Sequence, residues 1–152
     1  MMRIEERCIF PLSAQEAFDY ITDLDNWPHY WPGFVRFEDR EHSQWGVPGG
    51  TVTPVIRLMG RDVPLHITLQ EFERGRIVRY MSQQPGLADA YHERHFSAVP
   101  EGCAYRAVVS SKPRWKWLGI YDRVLVRRAV KRTLHRTMAN LQAVFARKQT
   151  HA

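Results

Sequence analysis

Chemistry-bearing side chains are densest in the segment Ala88–Ala98, which runs Ala-Asp-Ala-Tyr-His-Glu-Arg-His-Phe-Ser-Ala. His92-Glu93-Arg94-His95 has the residue types of a metal site. On a strand, however, positions i and i+3 point to opposite faces, so no metal site is expected there. The even face carries Ala88, Ala90, His92, Arg94, Phe96 and Ala98. It ends in apolar residues and is expected to face inward, unless a bulge resets the parity. A histidine titrates near neutrality and serves as a general base. An arginine carries a fixed charge that stabilises negative charge developing on oxygen. Tyr80, on a neighbouring strand, adds a hydroxyl donor that wants a partner. These three are the candidates for chemistry, and no spacing in the sequence demands that assignment. Nucleophile elbows, P-loops, dinucleotide glycine fingerprints and His-Glu-x-x-His are all absent from the sequence.

A second pattern lies in the C-terminal segment. At 100° per residue, Val130, Leu134, Met138, Leu141 and Phe145 share one stripe, and Arg128, Arg132 and Arg136 fall opposite. The stripe does not stay apolar towards its N-terminal half. Arg123 and Arg127 fall within about 20° of the stripe centre, and Lys131 about 60° from it. An arginine on the core-facing line must snorkel outward, pair with a carboxylate such as Glu93 or Glu71, or meet an oxygen-bearing ligand. Arg127 is expected to contact a polar ligand end or a buried carboxylate.

The elements that must position these residues follow from periodicity. Residues 3–10 alternate as a first strand, ended by Pro11. Ser13-Ala14-Gln15-Glu16 is a capping box opening a short helix over 14–22, and Asp25-Asn26-Trp27-Pro28 begins a second helical turn stopped by Pro32-Gly33. Period-two segments then run over 34–42, 50–59, 62–73, 76–83, 88–99 and 103–111, with Gly- and Pro-rich turns between them. Such short connections predict antiparallel hairpins, hence a seven-stranded antiparallel sheet. A helix over roughly 118–147 would be about 42 Å long and could cross it. A sheet curled around one helix leaves a half-open space between them, the usual place for a ligand. Strand parity and the helix stripe together line that space with Trp31, Phe34, Ile56, Leu65, Ile67, His92, Phe96 and Arg127.

Composition bounds the rest. The 152 residues are 44% hydrophobic and 25% charged, the make-up of one globular domain spanning 1–152. No run is long and apolar enough to span a membrane, and the N-terminus lacks the apolar core of a secretory signal, so a cytoplasmic protein is expected. Cys8 and Cys103 are too few for a disulfide scaffold or a cysteine zinc site and are expected to be reduced thiols. No cofactor is implied. The net charge of +6 hides an asymmetry: residues 1–111 hold 11 Lys/Arg against 15 Asp/Glu, while residues 112–152 hold 11 Lys/Arg against Asp122 alone. That basic end is either a solvated helix face or a contact for nucleic acid, an anionic membrane surface or an acidic ligand. Its exposed line lacks interleaved aromatics for stacking bases, so nucleic acid is not expected.

The element order, together with Phe18-Asp19 and the stretch Asp23-Leu24-Asp25-Asn26-Trp27-Pro28-His29-Tyr30-Trp31-Pro32-Gly33, resembles the helix-grip superfamily. That group includes START lipid-binding domains and birch-pollen-allergen-like proteins, and the likeness is closest to the bacterial polyketide cyclase/dehydrase-like group. Tyr30 stands where a first tryptophan is common. The resemblance implies an α+β helix-grip fold and a cavity beneath the long helix. It implies binding or carriage of a small hydrophobic ligand (lipid, quinone or polyketide-like), or alternatively a cyclase, aromatase or dehydratase acting on a poly-β-keto substrate. In the enzyme reading His92 is the base, Arg94 or Arg127 the enolate stabiliser and Tyr80 a donor. A basic-helix module facing membrane or nucleic acid is a further alternative.

Overall fold

The computed structural model describes residues 2–42, 44–58, 60–84, 88–111 and 120–150. Strand β1 (Met2–Phe10) leads into helix α1 (Ala14–Thr22), whose N-cap Ser13 accepts from the Glu16 amide at 3.1 Å. A 3-10 turn (Leu24–Asn26) and the short helix α2 (Trp27–Tyr30) follow. Then come β2 (Phe34–Phe37), β3 (Thr51–Val52), β4 (Pro54–Leu58), β5 (Arg61–Pro64), β6 (His66–Glu73), β7 (Ile77–Gln83), β8 (Ala90–Val99) and β9 (Gly102–Ser111). Helix α3 (Ile120–Thr150) closes the chain, and the expected helix start at 118 lies outside the described residues. No helix among the described residues is long and apolar enough to cross a membrane.

The strands are antiparallel throughout, but they form two sheets rather than one of seven strands. Six run in the order β1-β9-β8-β7-β6-β3, and three in the order β2-β4-β5. The expected strands 50–59 and 62–73 each break in two, at Thr53 and Leu65, beside prolines 54 and 64. A proline has no N–H for the ladder and tends to mark a strand's end or edge. At the first break Asp39 replaces a strand partner: the Thr53 amide donates to its Oδ1 at 2.8 Å and the Thr53 hydroxyl to its Oδ2 at 3.1 Å. The Leu65 amide donates to the Pro54 carbonyl at 2.9 Å, tying the two breaks together. The expected strand 34–42 is likewise cut to Phe34–Phe37, with a 3-10 turn at Arg40–His42.

Alternation along β1, β7, β8 and β9 puts one set of side chains under α1 and α3, and that set is the core. Phe96 of β8 meets Phe18 of α1 at 5.1 Å and Tyr105 of β9 at 5.2 Å between ring centroids. Phe145 of α3 meets Phe10 edge-on at 4.7 Å, and Cys8 Sγ approaches Met138 Sδ at 3.3 Å. Leu134, Met138, Leu141 and Phe145 are buried, while Arg128, Arg132 and Arg136 are exposed, as the helical wheel predicts. The other sheet face carries charge instead. Glu71, Arg79 and Glu93 pair across β6, β7 and β8 at 2.9 Å each, on the face that also carries the buried Val108 and Ile77.

The Trp-Pro stretch locks α1 to this core. A helix leaves its last carbonyls without internal partners. Here Trp27 Nε1 and the Tyr30 hydroxyl both donate to the Ile21 carbonyl, at 3.0 and 2.6 Å, and Trp45 Nε1 donates to that of Thr22 at 3.0 Å. Asn140 of α3 donates to the Tyr30 carbonyl at 3.0 Å, joining α2 to the long helix.

Candidate functional site

Register decides which side chains share the inner face of the large sheet. Tyr80 pairs with His92 and Val78 with Arg94 across β7 and β8, so Val78, Tyr80, His92, Arg94 and Phe96 belong to one face. Because Phe96 lies against α1, that face is the inner one. His92 and His95 accordingly project to opposite sides of β8, and His95 lies by Glu93 on the charged outer face at 3.7 Å.

The inner face carries a polar group within an apolar wall. The rings of Tyr80 and His92 stack at 4.6 Å, 11° from parallel. His92 Nε2 and the Ser82 hydroxyl share a hydrogen bond of 2.9 Å, while His92 Nδ1 is buried with no partner among the described residues. Burial, reinforced by the Arg94 charge, lowers the His92 pKa from 6.5 to about 3. The ring is therefore neutral over the physiological range.

Arg94 also reaches Tyr80. Its Nη2 donates to the Tyr80 hydroxyl at 3.2 Å, and its Nη1 to the Glu93 carbonyl at 3.1 Å. Its guanidinium carbon is 5.7 Å from the Tyr80 ring centroid. No carboxylate among the described residues pairs with it. Glu71 and Glu93 are engaged by Arg79 on the other face, and Glu6, in the same inter-strand row, is two strands away across Ala107. Tyr105 is buried nearby, and its hydroxyl has no hydrogen-bond partner among the described residues. Burial pushes that phenol well up, against the pull of Arg94. A fixed positive charge, a free imidazole nitrogen and a free hydroxyl thus lie together on an apolar face. Such a set can hold an oxygen-bearing group whose remainder is apolar.

The residues singled out in the sequence fall in four places. Tyr80, His92, Arg94, Phe96 and Ile67 lie on the large sheet, with Tyr80, Phe96 and Ile67 in its main core. Trp31, Phe34 and Leu65 are half-buried and pack against that core from the small-sheet side. Trp31 lies 5.3 Å from Trp27 and 6.5 Å from Phe34. Ile56 is buried on β4 opposite Phe34 but stands outside the main cluster. Arg127 departs from expectation. It is exposed, and its Nη1 reaches the Arg3 carbonyl at the β1 edge at 3.5 Å. The wheel gives direction but not extent: residues 124–129 are all exposed, so the core-facing line has no core beneath it at that turn. Arg123's side chain lies outside the described residues. The sequence reading missed Ser82, which parity with Tyr80 on β7 would have revealed, and Trp45, 6.0 Å from Tyr80.

Comparison with known proteins bears on the fold. No protein of curated function matches the sequence. Among solved structures, TTHA0849 from Thermus thermophilus superposes with a TM-score of 0.79 at 14% identity, over 97% of this chain and 99% of that one. The di-domain ARO/CYC StfQ from the steffimycin biosynthetic pathway gives 0.77 at 17% identity, with 99% of this chain matching 52% of StfQ. A START superfamily protein from Mycobacterium smegmatis gives 0.71 at 12% identity, over 95% and 97% of the two chains. These likenesses show the shared helix-grip fold. The family model described as polyketide cyclase / dehydrase and lipid transport matches residues 1–146, and the chain belongs to that family.

Proposed function

We propose that this protein binds and carries a small hydrophobic molecule with an oxygenated end, held between the large sheet and α3. The observation that carries the reading is Arg94: a guanidinium on the inner sheet face with neutral hydrogen-bond partners and no carboxylate beside it. A buried charge without a counter-charge is costly. A ligand oxygen bearing full or partial negative charge would offset that cost, with Tyr105 and His92 Nδ1 as further contacts. Ile67, Phe96, Leu65, Trp31 and Phe34 are the apolar wall in this reading. The StfQ likeness keeps a cyclase reading in view, with His92 as base and Arg94 as enolate stabiliser. The low basicity of His92 weighs against it, since a base protonated only near pH 3 draws a proton from carbon poorly.

Native mass spectrometry of freshly purified protein tests the carrier reading. An apolar compound should leave with the protein and be missing from Ile67→Trp, in which the indole fills the space. Wild-type protein that holds no such compound and takes up no apolar fluorescent probe would overturn the proposal.

A further inference from the structure

Helix α3 is packed over only part of its length. Its second half buries Leu134, Met138, Leu141 and Phe145, whereas residues 124–129 are exposed on every side. Val124 is 42% exposed and Leu125 62%. Both precede a dense cationic surface. On the wheel, Val124 lines up with Arg128, Lys131 and His135, and Leu125 with Arg128 and Arg132, all exposed. No ion pair joins Arg128, Lys131 or Arg132 to a carboxylate among the described residues, and the sequence has no acidic residue after Asp122. The helix therefore combines unneutralised positive charge with bare branched aliphatic side chains a turn or two away.

We infer that this half of α3 docks on an anionic lipid surface, with Val124 and Leu125 entering the headgroup boundary and Arg128, Lys131 and Arg132 meeting lipid phosphates. The charge is complementary to such a surface, and exposed aliphatic side chains beside cations fit the boundary between headgroups and acyl chains. A nucleic acid suits the patch less well, because the exposed positions 124–136 offer no tryptophan, tyrosine or phenylalanine for a base to stack on, and His135 is the one ring among them. The location is also apt: Arg127 ties this half of the helix to Arg3, and the next inward row of the sheet, through Ile4, leads to His92. The docked end of the helix thus borders the inner face of the sheet.

Co-sedimentation of the full chain with vesicles is the test. Vesicles of phosphatidylcholine and phosphatidylglycerol in equal parts should pull the protein down, and vesicles of phosphatidylcholine alone should not. The double variant Arg128→Glu/Arg132→Glu should bind the anionic vesicles about tenfold or more weakly. Leu125→Ser should bind several-fold more weakly at physiological salt, with the charge intact. Unchanged melting temperatures of both variants would assign these losses to docking, because the side chains are solvent-facing. Equal binding to both vesicle types, full binding by the charge-reversed variant, an unchanged Leu125→Ser, or binding of a single-stranded oligonucleotide without binding of anionic vesicles would overturn the inference.

Discussion

Tyr80 and His92 stack ring on ring across the β7–β8 ladder, 4.6 Å apart, and Tyr80 at the same time accepts from Arg94 through its hydroxyl. One tyrosine therefore contacts both an imidazole and a permanent cation. That placement has a pH consequence. The His92 pKa is lowered to about 3 by burial and by Arg94, so unfolding raises its proton affinity. Because the folded pKa is depressed, this contribution to stability is fully present above about pH 6.5 and is lost as pH falls towards about 3. The imidazole nitrogen shifts of His92 should hold their neutral values from pH 8 down to about pH 5 in a nuclear magnetic resonance titration. A midpoint near 6.5 would show a hydrated ring instead.

Arg94→Met separates stability from binding. The methionine keeps much of the stem's packing and removes a charge that has no counter-ion. Thermal unfolding of the free protein should be unchanged or shifted upward. Affinity for the co-purified ligand should fall by about 1.5–3 kcal/mol, the range for a hydrogen bond to a charged group. A large loss of stability with unchanged affinity would assign Arg94 a purely structural role.

The two faces of α3 give a direct comparison. Leu141 is fully buried, and Leu141→Ala should cost about 2–5 kcal/mol in chemical denaturation. Arg132 is exposed, and Arg132→Ala should stay within about 0.5 kcal/mol of wild type. Equal midpoints for the two would contradict the packing.

What the sequence disclosed and what it hid follow from the range of each signal. Helix 14–22, the core stripe of α3 and the parity of β8 are local patterns, and each is found as expected. The division into two sheets depends on Asp39 substituting for a strand partner of Thr53, a contact across 14 residues that no period-two pattern encodes. Arg127 exposes the same limit. A helical wheel fixes the angle of a residue, while the reach of the sheet beneath it is a tertiary fact. The shared inner position of Tyr80 and Arg94 was legible strand by strand. That Arg94 lacks a carboxylate was not, because Glu71 and Glu93 are claimed by Arg79 through folding of the outer face.

The half-buried Cys8 and the buried Cys103 should be slow to react. Burial, with a lesser contribution from Cys103 and Glu6, pushes the Cys8 thiol up to about 12, and burial raises Cys103 as well. The thiolate is the reactive form, so little of it exists at pH 8. Native protein should resist alkylation by iodoacetamide, and both cysteines should label once denaturant is added. Rapid labelling of Cys8 in the folded protein would show that the β1–α3 contact opens readily.

Gly33 and Gly60 offer a matched pair for the last prediction. Both have φ near +79°, a conformation that side chains other than glycine's rarely adopt. They differ in what surrounds them. A Cβ on Gly60 would meet nothing within 4 Å, whereas one on Gly33 would lie 2.9 Å from the Arg57 carbonyl oxygen. Gly33 also accepts from the Arg57 amide at 2.7 Å, so the chain leaving α2 is held against β4 and cannot retreat without losing that bond. Gly60→Ala should therefore cost about 1–2 kcal/mol, the left-handed penalty alone. Gly33→Ala should cost that much plus the strain of displacing a strand backbone, about 1–3 kcal/mol more. The comparison needs urea denaturation of both variants under one set of conditions. Similar losses would mean that the α2–β2 junction yields freely, and that the Trp-Pro-x-Tyr-Trp-Pro-Gly stretch does not need its terminal glycine for close approach to β4.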